Sequence, residues 1–258
     1  MTTSLPAPLA DRLAALATSL EARPDALALL ALGSVGRETG RADRWSDLDF
    51  FVIVRAGAKP RYLADLGWLQ AAHPLAWSFA NTRDGFKALM TDGVFCEFAV
   101  FEPAELAGIP YAPGRWVWRR GDEVPESWSS PTVPLPPARD AAWLVGEALG
   151  NLLVGLQRHR RGEHLAAMRM VQVHALDRVL ELIDLLDRRP ADPPTADRDP
   201  FNADRRFEFR HPAEVAGLRR WAAGIERTPD AALALLERLE ALAEVPAAVA
   251  ARIRALAG

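Results

Sequence analysis

The chain has 258 residues, half of them hydrophobic, with a formal net charge of −3 and a pI of about 6.0. This size predicts one large or two modest domains, and the lack of a basic excess argues against a broad nucleic-acid surface. No apolar run approaches the ~20 residues of a membrane helix, and the N-terminus lacks the pattern of a signal peptide. With Cys96 as the single cysteine, we expect a cytoplasmic protein that binds neither nucleic acid nor membranes.

Helix and strand patterns alternate through the first half of the chain. Leucines at helical spacing predict a helix near residues 7–22. An apolar run over 26–32 predicts a buried strand that ends at Gly33, residues 47–54 predict a second strand, and 60–71 predict a helix. Four more strands are predicted, at residues 75–80, 86–91, 94–101 and 115–119. This alternation predicts an α/β domain with a mixed sheet flanked by helices.

The dipeptide Asp92-Gly93 is a strong signal for a β-hairpin between two of these strands. A two-residue turn is the connection that this dipeptide favours. In that register Thr91 pairs with Val94, and Ala88 lies opposite Glu97.

Prolines between residues 124 and 138 predict an extended linker, because proline cannot continue a helix. Beyond the linker the pattern is wholly helical and predicts a bundle of roughly four helices, with a break near Pro246. Its helical segments are 141–160, 163–188, 213–227 and 230–256. We therefore expect an α/β domain over residues 1–124, a linker over 125–138 and an all-α domain over 139–258.

The most informative stretch runs from the Gly33-Ser34 turn to the Asp-Leu-Asp sequence at the mouth of the second strand. In a strand, Asp47 and Asp49 share a face and lie roughly 7 Å apart. Such a pair can hold one or two hard cations, and Mg²⁺ is usually bound by one or two carboxylates together with substrate phosphates. The backbone N–H groups and the hydroxyl of Gly33 and Ser34 suit those phosphates. Together these residues predict a metal and nucleotide site.

Glu97 is a third acid, placed in an otherwise apolar strand. A glutamate among apolar neighbours is rarely buried without a partner, and the predicted neighbour Ala88 leaves room beside it. Its functional interpretation is a general base beside the aspartates or a third metal ligand; the alternative is an edge position that faces water. For the aspartates, the alternative is a surface strand entry with Arg41 or Arg44 between the two charges.

The combination of a Gly-Ser turn, an Asp-x-Asp pair in an apolar strand and a later strand acid resembles the nucleotidyltransferases of the DNA polymerase β superfamily. With the helical half added, the layout resembles antibiotic nucleotidyltransferases of the lincosamide and aminoglycoside type. The matching motifs cover residues 30–54 and, more loosely, 86–101. The resemblance implies an N-terminal nucleotidyltransferase fold with a helical substrate-binding and dimerisation domain.

The resemblance also implies roles for particular residues. Gly33 and Ser34 would cradle the triphosphate of ATP, and Asp47 and Asp49 would bind Mg²⁺. Glu97 would take the proton from a substrate hydroxyl, and it is also a candidate third ligand of the metal. The implied reaction transfers AMP from ATP to a hydroxyl of a small-molecule antibiotic and releases pyrophosphate.

Further expectations concern the loop arginines and the partners. Arg37 and Arg44 lie between the two motifs and are candidate phosphate contacts, although solvated loop arginines are common. The acceptor can be a cationic antibiotic, and many relatives form homodimers. Two rival functions stay open: a toxin–antitoxin nucleotidyltransferase that modifies a protein, and a nucleotide-binding module without catalysis.

Two regions keep alternative interpretations. The loop over 199–212 either folds over the nucleotide, with Arg205 or Arg206 on phosphate, or is a salt-bridged connection. Trp77, with Trp116 and Trp118 further along the chain, stacks on a ligand or belongs to a core.

Overall fold

The computed structural model describes residues 5–131, 139–187 and 203–258. The chain divides into two compact units, Met1–Leu135 and Pro136–Gly258. Among the described residues, no helix is both long enough and apolar enough to cross a membrane.

Among the described residues, the first unit is built on a six-stranded mixed sheet. Its strands are β1 Ala26–Ala31, β2 Leu48–Val54, β3 Leu75–Ala80, β4 Gly85–Met90, β5 Phe95–Phe101 and β6 Arg115–Arg119. Across the sheet their order is β3-β4-β5-β2-β1-β6. Only the central neighbours β2 and β5 run parallel, and the other pairs are antiparallel. The mixed α/β class predicted from the alternating patterns is therefore confirmed.

Four helices accompany this sheet within the described part of the unit. They are α1 Ala7–Glu21, α2 Lys59–Ala64, α3 Gly67–Gln70 and α4 Pro103–Leu106. Helix α1 forms because its leucines recur every three or four residues, so one face is apolar. All four leucines of that face are buried: Leu9, Leu13, Leu16 and Leu20. They pack with α2 and α3 against one face of the sheet, which we call the inner face.

Alternation along β2 separates the inner face from the opposite, outer face. Leu48, Phe50 and Val52 point to the inner face and are fully buried, while Asp49 and Phe51 point to the outer face and are half-buried. A second, smaller cluster of apolar residues covers one end of the outer face. The cluster consists of Leu27, Ala28, Ile53, Phe101, Leu106 and Val124. Asp49 lies beyond this cluster, so the acidic end of the outer face is not covered by it.

The second unit is all-α within its described residues, as predicted. Its helices are α5 Ala141–Arg160, α6 His164–Arg169, α7 Leu176–Leu186, α8 Phe207–Arg210, α9 Val215–Trp221, α10 Thr228–Leu242 and α11 Ala247–Ala257. A π-helical stretch, Met170–Ala175, joins α6 to α7. The buried amide of Gln172 in this stretch donates to the Gly224 carbonyl over 2.8 Å and accepts from the Gly224 N–H over 2.9 Å. One apolar core joins α5, α7, α8, α9, α10 and α11 with the π-helical stretch, and the predicted break before α11 at Pro246 is confirmed.

The helix predicted over 60–71 is instead two short helices, α2 and α3. Asp65 leaves the helical conformation between them, with φ −133° and ψ 115°. Its side-chain oxygen accepts a hydrogen bond from the Gly67 N–H over 2.8 Å. Aspartate competes with the helix in this way because its short side chain bonds nearby backbone groups.

The extended linker predicted over 125–138 is wrong for its first part. Glu126–Ser129 forms a 3₁₀ turn, and both Val124 and Ser129 are buried. The Tyr111 hydroxyl donates to the Trp128 carbonyl over 2.9 Å. Pro125 precedes the turn, where its missing N–H costs no helical hydrogen bond. The rest of the predicted linker, residues 132–138, lies outside the described residues.

The β4–β5 hairpin forms, but its register is shifted by one residue from the prediction. Leu89 pairs with Phe95 and Lys87 pairs with Glu97, so Ala88 lies opposite Cys96 rather than Glu97. A two-residue type I′ turn needs positive φ at both central residues, whereas of this pair only Gly93, with φ +90°, has it. The connection is therefore a three-residue loop that ends in a left-handed glycine.

Candidate functional site

The Gly33 turn follows β1 and lies directly against Asp49 of β2. Gly33 has φ +53°, and residues Gly33–Val35 form a single 3₁₀ turn. The N–H of Leu32 donates to the Asp49 carbonyl over 2.8 Å. A Cβ atom on Gly33 would lie 2.9 Å from Oδ2 of Asp49. The absence of a side chain at Gly33 therefore leaves space beside this carboxylate oxygen.

Two arginines fix the turn to the rest of the unit. Arg115 of β6 donates to the carbonyl oxygens of Gly36 over 3.1 Å and Val35 over 2.9 Å. Arg37 donates to the Gly114 carbonyl over 2.7 Å and to the Ser129 hydroxyl over 3.1 Å. The guanidinium of Arg37 thus has partners within the fold, and the prediction that it contacts phosphate finds no support here. The role of Arg115 was missed, because nothing local in the sequence connects it to a turn about 80 residues earlier.

Asp49 and Glu97 are direct neighbours on the parallel strands β2 and β5. Paired residues of adjacent strands project from the same face of a sheet, with the strands about 4.8 Å apart. Asp47 comes one residue before β2 and is half-buried. The structure therefore brings Gly33, Asp49 and Glu97 side by side, with Asp47 at the mouth of the strand.

The arginines proposed to separate the two aspartates lie elsewhere. Arg41 forms an ion pair with Glu38, and the guanidinium of exposed Arg44 lies 4.4 Å from the centre of the Trp45 ring. Within the described residues, neither arginine forms an ion pair with Asp47. The predicted phosphate contact of Arg44 stays a prediction.

Glu97 is not on an edge strand, because β5 lies between β4 and β2. One carboxylate oxygen lies 3.2 Å from the ammonium of Lys87, and the other accepts a hydrogen bond from Nδ2 of Asn81 over 3.2 Å. Its side chain is 43% exposed, so it also meets solvent. A carboxylate has about four acceptor positions, so these two partners orient Glu97 without using its full capacity. Lys87 and Asn81 were missed, since the predicted register placed Ala88 opposite Glu97.

The donor set beside the Gly33 turn fits a hard divalent cation. Carboxylate oxygens are the ligands that Mg²⁺ prefers, and the space that a Cβ on Gly33 would fill adjoins one of them. Asp47 and Asp49 are the residues that would hold the ion. Among the described residues, however, no group of three or more His, Cys, Asp and Glu side chains is arranged to hold a metal ion. Glu97 is therefore not brought into such a group with the two aspartates.

Cys96 precedes Glu97 but points to the inner face, where it is fully buried. Burial, together with the negative charges of Asp92, Asp47 and Asp49, raises the pKa of the Cys96 thiol to about 12. A thiol in this state is a poor nucleophile. Cys96 is therefore a thiol of the apolar core.

Trp77, Trp116 and Trp118 differ in burial, which bears on whether each belongs to a core or is available to stack on a ligand. Trp116 and Trp118 of β6 are partly buried and pack against the two apolar clusters of the first unit. Trp77 is 48% exposed on β3. Only Trp77 of these three is therefore positioned on a surface.

The described part of the 199–212 loop is a salt-bridged connection within the second unit. Arg210 pairs with the buried carboxylate of Asp184 over 3.1 Å, and His211 contacts the same carboxylate over 2.6 Å. Phe207 is buried. Residues 199–202 lie outside the described residues. The predicted alternative, in which this loop binds phosphate, gains no support from these contacts.

Comparison with known proteins gives little similarity. No protein-family model matches the chain, and no curated protein matches it. Among solved structures, the chain is similar to an aminoglycoside 6-adenyltransferase from Bacillus subtilis. The match covers 96% of this chain and 90% of that one, with 11% sequence identity and a TM-score of 0.33. A likeness at this level does not establish a common fold, so the functional argument depends on the geometry of the site.

Proposed function

We propose that the chain is a nucleotidyltransferase that transfers AMP from ATP to a hydroxyl group of a small-molecule antibiotic. One observation carries this proposal: a glycine turn, an aspartate and a glutamate from three separate segments adjoin on one sheet face. Gly33 lies against Asp49, and Asp49 is paired with Glu97. The sequence motifs indicate these same three residues, and Asp49 lies on the part of the outer face beyond the apolar cluster.

The residues divide into a phosphate side and an acceptor side. Gly33 and Ser34 are proposed to contact the triphosphate of ATP. Asp47 and Asp49 are proposed to hold Mg²⁺, which when bound neutralises phosphate charge. Glu97 is proposed as the general base, since its carboxylate is both solvent-accessible and oriented by two partners. Positioning and electrostatic stabilisation supply most of the catalysis in such a site.

The proposed reaction is a displacement at the α-phosphorus of ATP. The acceptor oxygen forms a bond to that phosphorus, and its proton passes to a carboxylate oxygen of Glu97. The bond from the α-phosphorus to the bridging oxygen breaks, and pyrophosphate leaves with the electron pair. The products are an adenylylated acceptor and pyrophosphate.

The test is a pyrophosphate-release assay with ATP or GTP against a panel of aminoglycosides and lincosamides in the presence of Mg²⁺. Asp49→Asn keeps the shape of the side chain but removes its charge, so we expect release to fall by about 10²-fold or more. Glu97→Gln removes the base together with the exposed charge pair to Lys87, and it should lower kcat by about 10²–10⁴-fold.

Asp11→Asn is the matched control, because Asp11 is exposed on α1, which packs against the inner face, whereas Asp49 projects from the outer face. Its rate should equal that of the unchanged protein. Unchanged turnover in Asp49→Asn would contradict the proposed site. Nucleotide labelling of a polypeptide, with no antibiotic as acceptor, would instead favour the protein-modifying rival.

A further inference from the structure

A row of four side chains crosses the outer face from the candidate site to the edge of the sheet. Asp49 on β2 pairs with Glu97 on β5, Glu97 pairs with Lys87 on β4, and Lys87 pairs with Phe79 on β3. Directly paired residues share a face of the sheet. The candidate site is therefore continuous, side chain by side chain, with the edge strand β3.

The end of this row is an exposed aromatic surface. Trp77 and Phe79 are two residues apart on β3, so they lie on the same face. Their rings are stacked, with centroids 6.1 Å apart and an interplanar angle of 22°. Trp77 is 48% exposed and Phe79 is 54% exposed. We call this pair the aromatic shelf. Large apolar side chains that are exposed together commonly mark a binding surface.

The order of residues along the row indicates on which side of Glu97 the phosphates lie and on which side the acceptor lies. The phosphate-side residue Gly33 adjoins Asp49, Glu97 follows, and the shelf lies on the far side of Glu97 from Gly33. In a displacement at phosphorus, the attacking and leaving oxygens lie roughly in line, on opposite sides. A molecule on the shelf is thus on the side from which the acceptor hydroxyl reaches Glu97.

We propose that Trp77 and Phe79 form the binding subsite for the acceptor, which stacks a ring on the shelf while its reactive hydroxyl lies at Glu97. This inference rests on the proposed function and specifies where that function takes its second substrate. Two strand spacings separate Phe79 from Glu97, about 10 Å. The acceptor is therefore a hydroxylated compound with more than one ring, and one ring has an apolar or cationic face suited to an aromatic surface.

The experiment measures steady-state kinetics of the full chain with kanamycin and lincomycin as acceptor probes, by pyrophosphate release. Trp77→Ala and Phe79→Ala should each raise the acceptor KM by about tenfold, the effect expected when one stacking contact is lost. The KM for ATP and the kcat should stay within about twofold, because both rings lie beyond the reacting groups. Trp77→Phe keeps an aromatic face and should restore most of the acceptor affinity.

Ser78→Ala is the matched control, since Ser78 lies between the two aromatics on the same strand and projects from the opposite face. Thermal unfolding of every variant confirms that it is folded. An unchanged acceptor KM in both shelf variants, with release strongly lowered in Asp49→Asn, would overturn the subsite and leave the proposed function standing. A change of oligomeric state in the shelf variants, in place of the KM change, would also overturn the subsite. Absence of pyrophosphate release with every acceptor would contradict both the subsite and the proposed function.

Discussion

At the scale of single residues, Gly33 combines an unusual backbone conformation with a direct contact to a residue of the candidate site. Its φ of +53° lies in the left-handed region, and its missing side chain adjoins Oδ2 of Asp49. Gly121 has nearly the same backbone, with φ +50°, but nothing lies within 4 Å of its Cβ direction. The two glycines therefore separate backbone strain from crowding of the carboxylate.

We predict that Gly33→Ala and Gly121→Ala each lower stability by about 1–2 kcal/mol, since a non-glycine residue is strained in this conformation. Only Gly33→Ala should also lower turnover, by about tenfold or more, because its methyl group displaces the Asp49 oxygen. Thermal unfolding and the pyrophosphate-release assay measure the two effects. Equal activity of both variants would show that the space beside Asp49 is not used.

At the scale of elements, Lys59 joins three segments of the first unit. It begins α2, and its ammonium lies 2.7 Å from Asp84, just before β4, and 2.6 Å from Glu105 of α4. Burial acts to lower the pKa of Lys59, but hydrogen bonds and charges from both carboxylates outweigh it and raise the pKa above 10.5. Burial acts to raise the pKa of Asp84, but Lys59 and Arg83 outweigh it and lower the pKa below 3.8.

These shifts predict the pH range over which the network stabilises the fold. A lowered carboxyl pKa contributes stability above about pH 3.8 that is lost as pH falls, and a raised lysine pKa contributes stability below about pH 10.5 that is lost as pH rises. Lys59→Met should therefore lower the free energy of unfolding by about 1–3 kcal/mol at pH 7. Urea titrations should show a smaller loss at pH 3.

The only other lysine provides the control for this experiment. Lys87 pairs with Glu97 where both side chains are substantially exposed, and exposed ion pairs contribute about 0–1 kcal/mol. Lys87→Met should accordingly change stability by less than about 1 kcal/mol at pH 7. A loss for Lys59→Met that is the same at pH 3 and pH 7 would show that packing of its stem, not the ion pairs, provides the stability.

The sequence predicts elements better than it predicts the contacts between them, and the hairpin shows why. Alternation and apolar runs are local properties, so the strands and the Gly33–Asp49 motif can be predicted from the sequence alone. The register depends on the backbone of the connecting loop, where only Gly93 of the Asp-Gly pair takes positive φ. Because the predicted register is wrong by one residue, it does not predict the Lys87–Glu97 pair or the row of side chains that leads to Phe79.

Other features depend on residues far apart in the chain. The hydrogen bond from Arg115 to the Gly36 carbonyl joins positions 79 residues apart, and no periodicity of the sequence indicates such a contact. The 3₁₀ turn over Glu126–Ser129 forms within a proline-rich segment because Val124 and Ser129 are buried in the first unit. Proline content indicated an end to helical structure there but not this packing.

At the scale of the whole molecule, each apolar core is drawn from one unit. The two clusters of the first unit use residues between Leu9 and Val124, and the cluster of the second uses residues between Leu144 and Leu256. A unit with its own core can in principle fold alone. The glycine turn, the three acids and the aromatic shelf all belong to the first unit.

We therefore predict that fragments 1–135 and 136–258 each unfold cooperatively, and that ATP with Mg²⁺ stabilises only fragment 1–135. A ligand that binds only the folded state stabilises it by about 2.7 kcal/mol at a hundredfold excess over its Kd. Saturating ATP with Mg²⁺ should raise the unfolding midpoint of fragment 1–135, and Asp49→Asn in that fragment should reduce the rise. Fragment 136–258 is the control and should not respond. A midpoint shift in 136–258 alone would locate nucleotide binding on the helical unit, where the site proposed here has no residue.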